Sequence, residues 1–129
     1  MSALYIRADA VIALTAAADY SAGRGKSVTI SGDTATLSAS ASVHARGIIL
    51  EGATSGNQVT VAILGACAGT VPAKLSGTVT KGDKMQQHTD GTWITDAATG
   101  GRVVSLVALE SGVSGDIIEA ATLTPITLS

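Results

Sequence analysis

Apolar residues in this chain recur at every second position, in runs too short for helices and bounded by glycine. In Gln58-Val59-Thr60-Val61-Ala62-Ile63 the branched residues at 59, 61 and 63 alternate with Gln58, Thr60 and Ala62. Successive side chains of a strand point to opposite faces, so such a run presents one apolar face. Runs of strand character lie near 27–31, 34–38, 43–50, 58–64, 84–88, 92–95, 102–110 and 116–124, and no long stretch keeps a 3.6-residue period. "SGD" at 31–33 and "TDG" at 89–91 each join two runs, as tight hairpin turns do. Short strands hinged by glycine predict an all-β fold, a compact barrel or sandwich.

The runs also repeat. A gapless shift of 59 residues superimposes Gly23 on Gly82, Gly32 on Gly91, Ala39 on Ala98 and Leu50-Glu51 on Leu109-Glu110. It also superimposes Gly56 on Gly115, Ala62 on Ala121 and Leu64 on Leu123. The matched glycines fall at turns, where a residue free to take positive φ is needed. The expected organisation is a single β domain over 21–129, built from two pseudo-repeated meanders at about 21–65 and 80–124. Residues 1–20 lie outside both copies and form an N-terminal arm. As an extra edge strand the arm completes the domain. As an extended arm it reaches a neighbouring subunit and buries Leu4, Tyr5, Ile6, Val11 and Ile12 there.

Chemistry is sparse. Gly25-Lys26-Ser27 has the look of a phosphate-cradling loop, but that loop needs a glycine five residues before the Gly-Lys pair, where this chain has Tyr20. It must also open a helix, and Ser27-Val28-Thr29-Ile30-Ser31 reads as a strand. A turn is the better reading, with Gly23 and Gly82 as the same turn in two copies. His44, His88 and the single Cys67 have no metal-ligand or nucleophile–base spacing. Glu51 and Glu110 occupy equivalent points of the two copies. Either they meet as an acid/base pair, or each accepts from a turn amide or a nearby cation; the second is favoured because no aromatic platform accompanies them. "KGDK" at 81–84 reads as a solvated turn. Trp93, the sole tryptophan, either caps the core or anchors an interface.

Composition narrows the classes further. Aromatics are 2% of residues and charged residues 14%, with a formal net charge of −2. A core of Val, Ile, Leu and Ala buries little area per side chain, which favours an oligomer. No basic stripe with stacking aromatics predicts nucleic-acid binding, and no apolar run approaches a membrane span. "MSALYIRADAVIAL" is interrupted by Arg7 and Asp9 and does not read as a secretory signal, so synthesis in a cytoplasm is expected. No enzyme, cofactor or metal is expected.

Three segments taken in order resemble the capsid decoration, or cement, proteins of tailed bacteriophages. They are "GIILEGATSGNQVTVAILG", "GTVTKGDKMQQHTDGTWI" and "SLVALESGVSGDIIEAATLTP". The matching positions are Gly47 to Leu50, Gly56 to Val61, Gly82 to Met85, Ala108 to Glu110, and Gly115 to Ile117. The resemblance covers about 21–125. It implies an all-β protein without catalytic residues that binds the major capsid protein on the outer face of the expanded head and stabilises it against internal DNA pressure. It also implies a homo-oligomer, a trimer more often than a dimer, made in the bacterial host cytoplasm and carried on the virion. The arm residues and Trp93 then become the candidate capsid or subunit contacts. The alternative is a head-fibre or host-surface binding module, which exposed aromatics would favour.

Overall fold

Alternation and glycine punctuation produce ten strands in the structure, a computed structural model that describes residues 11–38, 46–64, 69–97 and 102–128. For 102 and 124–128 it describes the backbone alone. The first five strands are β1 (Val11–Ala16), β2 (Ser27–Ser31), β3 (Thr34–Leu37), β4 (Gly47–Glu51) and β5 (Gln58–Ile63). They close into a barrel of order β1-β3-β2-β4-β5. The second five are β6 (Thr70–Lys74), β7 (Lys84–Gln87), β8 (Trp93–Thr95), β9 (Arg102–Ala108) and β10 (Ile117–Leu128), in a sheet of order β6-β10-β9-β7-β8. A short 3-10 turn, Thr89–Gly91, links β7 to β8.

The repeat is present at the level of strand register. Val28 pairs with Gly47 as Met85 pairs with Leu106, and Ile49 with Val61 as Ala108 with Ala120. Val11 pairs with Ala62 as Thr70 with Ala121, and Ile30 with Ala35 as Gln87 with Trp93. The parallel contact of Ala16 with Ala35 reappears as the bridge of Leu75 with Trp93. The cyclic strand order is therefore the same in both halves. The shift is 59 residues for β1, β4 and β5 (16 to 75, 49 to 108, 61 to 120), 57 for β2 (28 to 85) and 58 for β3 (35 to 93).

Two expectations change as a result. The gapless alignment pairs Gly23 with Gly82, whereas the hydrogen bonds pair Gly25 with Gly82. Gly25 N–H donates to Ile49 O and Gly82 N–H to Ala108 O, both at 2.8 Å, and both glycines have positive φ. Between equivalent paired residues the second half is two residues shorter (16 to 28 against 75 to 85), and a gapless shift cannot see that. The arm also shrinks. Residues 11–20 belong to the first repeat rather than outside it, because β1 pairs with both β5 and β3 inside the barrel. Its counterpart β6, likewise absent from the expected strands, opens the second repeat. Residues 1–10, with Leu4, Tyr5 and Ile6, lie outside the described residues, as do His44 and Cys67.

The core has two parts. Leu14, Ala16, Tyr20, Val28, Ala35, Ile49, Val59 and Val61 fill the barrel. The other cluster joins Leu75, Met85, Trp93, Leu106 and Ile118 of the second half to Ile48, Ala62 and Leu64 on the barrel's outer face. Period-two alternation explains this division. Ile48 and Ile49 are both fully buried, one facing the second half and the other the barrel interior. Val11 packs against the shared core, while Ile12, Leu14 and Ala16 face the barrel.

Candidate functional site

Gly25-Lys26-Ser27 folds into the joint between the two halves. The amides that a phosphate loop would aim at an anion are used internally: Gly25 N–H reaches Ile49 O, and Lys26 N–H reaches Gly23 O at 2.9 Å. The Gly25 carbonyl accepts from Lys74 N–H at 3.0 Å and from Trp93 Nε1–H at 3.1 Å, both in the second half. A side chain at Gly25 would sit 2.7 Å from the Lys74 nitrogen, so the close approach as well as φ +83° requires glycine. Ser27, fully buried, has Oγ within reach of Gln87 Oε1 at 3.3 Å and Gly91 O at 3.2 Å. Gly91 in turn lies against the Ser27 backbone, where an added carbon would meet Ser27 O at 2.7 Å. Tyr20, at the position where a phosphate loop needs glycine, plugs the barrel, and its hydroxyl accepts Leu37 N–H at 3.2 Å.

The other candidate residues separate. Trp93 is fully buried, so it is a core residue and offers no surface to a partner. Val11 and Ile12 are half-buried within β1. Glu110 accepts Glu119 N–H at 2.7 Å, an amide of strand β10 rather than of a turn, and Glu119 Oε2 accepts Thr70 Oγ–H at 2.8 Å. Glu51 is exposed at the end of β4. His88 is exposed, with Nδ1 3.3 Å from both Ser76 Oγ and Thr89 Oγ1. In "KGDK", Asp83 organises its own turn. It accepts Thr80 N–H and Thr95 Oγ–H, each at 3.0 Å, and is not simply solvated. Among the described residues no three His, Cys, Asp or Glu gather where a metal could sit.

One open groove runs along the joint. Leu50, Glu51 and Gly52 at the end of β4, with Ser21 and Arg24 of the preceding loop, form one wall. Thr70, Val71 and Pro72 of β6, with Ile117 to Glu119 of β10, form the other. Ser21, through its hydroxyl and then its amide, holds the exposed Asp19 carboxyl below its ordinary range, and the amide lies 3.1 Å from Oδ1. The large hydrophobics exposed among the described residues, Ile117 and Val113, both lie at or just before the start of β10. The sequence pattern does not reveal the groove, because Pro72 interrupts the strand signal of β6.

No family model matches the chain, and no curated protein matches it. Among solved structures the fold is similar to the head fibre gp8.5 N base of bacteriophage phi29. The TM-score is 0.65 at 15% identity, over 92% of this chain and 97% of that one. At that identity the likeness is one of fold, and it spans both halves.

Proposed function

We propose that this protein is a structural component of a phage head, a β module seated on the outer surface of the assembled capsid. The observation that carries the reading is the near full-length likeness to a head fibre base, with both chains covered end to end. The sequence resemblance to decoration proteins points to the same location independently. The physics suits such a role. A protein that binds only the expanded lattice stabilises it by RT ln(1 + [L]/Kd), about 2.7 kcal/mol per site at a hundredfold excess over Kd. Summed over many sites, modest contacts are sufficient against internal DNA pressure.

The test mixes the purified protein with expanded heads that lack it and follows co-sedimentation. Saturable pelleting with the heads, together with a higher temperature of DNA release, is expected. Protein that stays in the supernatant would end the proposal. A second reading, the base of a head fibre, is favoured by the same structural likeness. Cryo-electron microscopy of decorated heads separates the two, since a cement covers the lattice uniformly whereas a fibre base carries a projecting segment outward.

A further inference from the structure

The groove between the halves is an open stretch of strand edge, and the structure says how it arises. Lys74 N–H turns away from β10 and donates to Gly25 O. With period-two alternation, Pro72 and Thr70 turn their backbone groups to that same side, away from β10. A proline is tolerated there because the outward edge needs no N–H for the sheet. In the barrel the equivalent edge closes differently, with Thr15 N–H donating to Asp33 O of the β2–β3 turn at 2.7 Å. In the second half Gly25 fills the Lys74 end of the gap, and the groove occupies the rest, beside Thr70 and Pro72. Its apolar surface is Leu50, Pro72 and the 43%-exposed Ile117, and its charged lining is Glu51, Glu119 and Arg24.

We infer that this groove receives residues 3–8, Ala-Leu-Tyr-Ile-Arg-Ala, of a second copy of the chain, laid in extended form along β6. Three observations choose this occupant. The segment alternates apolar and longer side chains, with Leu4 and Ile6 on one side, matching an apolar floor flanked by polar rims. Arg7 supplies a second cation to a groove lined by two carboxylates, Glu51 and Glu119, and one guanidinium, Arg24. The exit direction also points away from the chain's own groove. Along β1 the chain runs from Ala16, beside the β4–β5 connection, to Val11, opposite Ala62 and so beside the Ile48 end of β4. The groove lies at the Glu51–Gly52 end. Of the residues that favour turns, 1–10 hold Ser2 and Asp9 but no glycine or proline beside them. Ten extended residues span roughly 33 Å, enough to reach a neighbour. The inference does not rest on the capsid reading, and its main test needs no heads.

The experiment uses the full chain, a variant lacking residues 2–8, and Ile117→Lys, which alters an exposed position. Native mass spectrometry should give an oligomer for the parent and monomers for both variants, with circular dichroism spectra unchanged. A labelled peptide of residues 1–10 should bind the arm-deleted protein, and bind it at least tenfold more weakly when Ile117→Lys or Glu51→Lys is added. An Arg7→Glu peptide should recover binding to the Glu51→Lys protein. A monomeric parent, an oligomer that survives arm deletion, or a peptide indifferent to Ile117→Lys would each overturn the inference. Loss of head binding on Ile117→Lys with the oligomer intact would also overturn it, by giving the groove to a capsid partner.

Discussion

The barrel and the second sheet share one strand order and one register, yet the barrel closes and the second sheet is held by a single bridge. The difference is concentrated at one pair of positions. Ala16 and Ala35 meet where the barrel closes, and Leu75 and Trp93 stand at the same place in the other half. β1 and β3 pair over two successive residues, whereas in the second half the pairing is one bridge, with Ser76 N–H donating to Trp93 O at 3.0 Å. The barrel then uses the opening. Gly25 enters it and takes hydrogen bonds from Lys74 and Trp93, so the failure of one half to close is what joins the two halves. A repeat can thus keep its topology while one residue pair changes what lies at its edge.

The largest expected effect comes from removing the buried indole that donates to Gly25 O across the joint. Trp93→Ala should cost about 3–5 kcal/mol by urea unfolding followed by circular dichroism, because it empties a core site and leaves Gly25 O with one donor fewer. An effect below about 1 kcal/mol would show that the indole neither fills the gap nor ties the halves.

The equivalent glycines give a sharper contrast. Gly25→Ala meets both positive φ and the β6 backbone, whereas Gly82→Ala meets positive φ and nothing within 4 Å. Gly82→Ala should cost roughly 1–2 kcal/mol from backbone strain alone. Gly25→Ala should cost clearly more and increase hydrogen exchange at Lys74. Equal losses in a thermal melt would break the assignment of Gly25 to the joint.

Smaller effects test the barrel's plug and the buried hydroxyls. Tyr20→Phe removes the acceptor for Leu37 N–H and should cost about 1 kcal/mol. The equivalent position is Val79, which has no such bond to lose. Ser38 and Ser105 are buried with Oγ unpartnered among the described residues. Replacing either with alanine should leave stability within about 0.5 kcal/mol or raise it, since an orphan hydroxyl is removed. A loss near 2 kcal/mol at Ser38 would instead place an ordered water there.

Eight strands were legible in the sequence because their runs alternate and end on glycine turns. β1 was legible only as one of two readings of the arm and β6 not at all, for two physical reasons. Val11-Ile12-Ala13-Leu14 is apolar at every position, although Ala13 is exposed, so its alternation carries little contrast. In Thr70-Val71-Pro72-Ala73 the proline argues against a strand, and only the sheet topology shows it on an edge where it is tolerated. The Gly25-Lys26-Ser27 stretch was correctly read as a turn, but its role as the joint depends on Lys74, Gln87 and Trp93, 49 to 68 residues away (25 to 74, 27 to 87, 25 to 93).

By itself the sequence determined the all-β class, the hairpin turns and the existence of two related halves, because alternation and positive-φ glycines are local properties of the chain. Tertiary structure alone decided which half closes, that Trp93 belongs to the core, and that a groove runs beside β6. Those outcomes depend on which side chains meet across the sheet, and residue spacing does not encode the volume available where they meet.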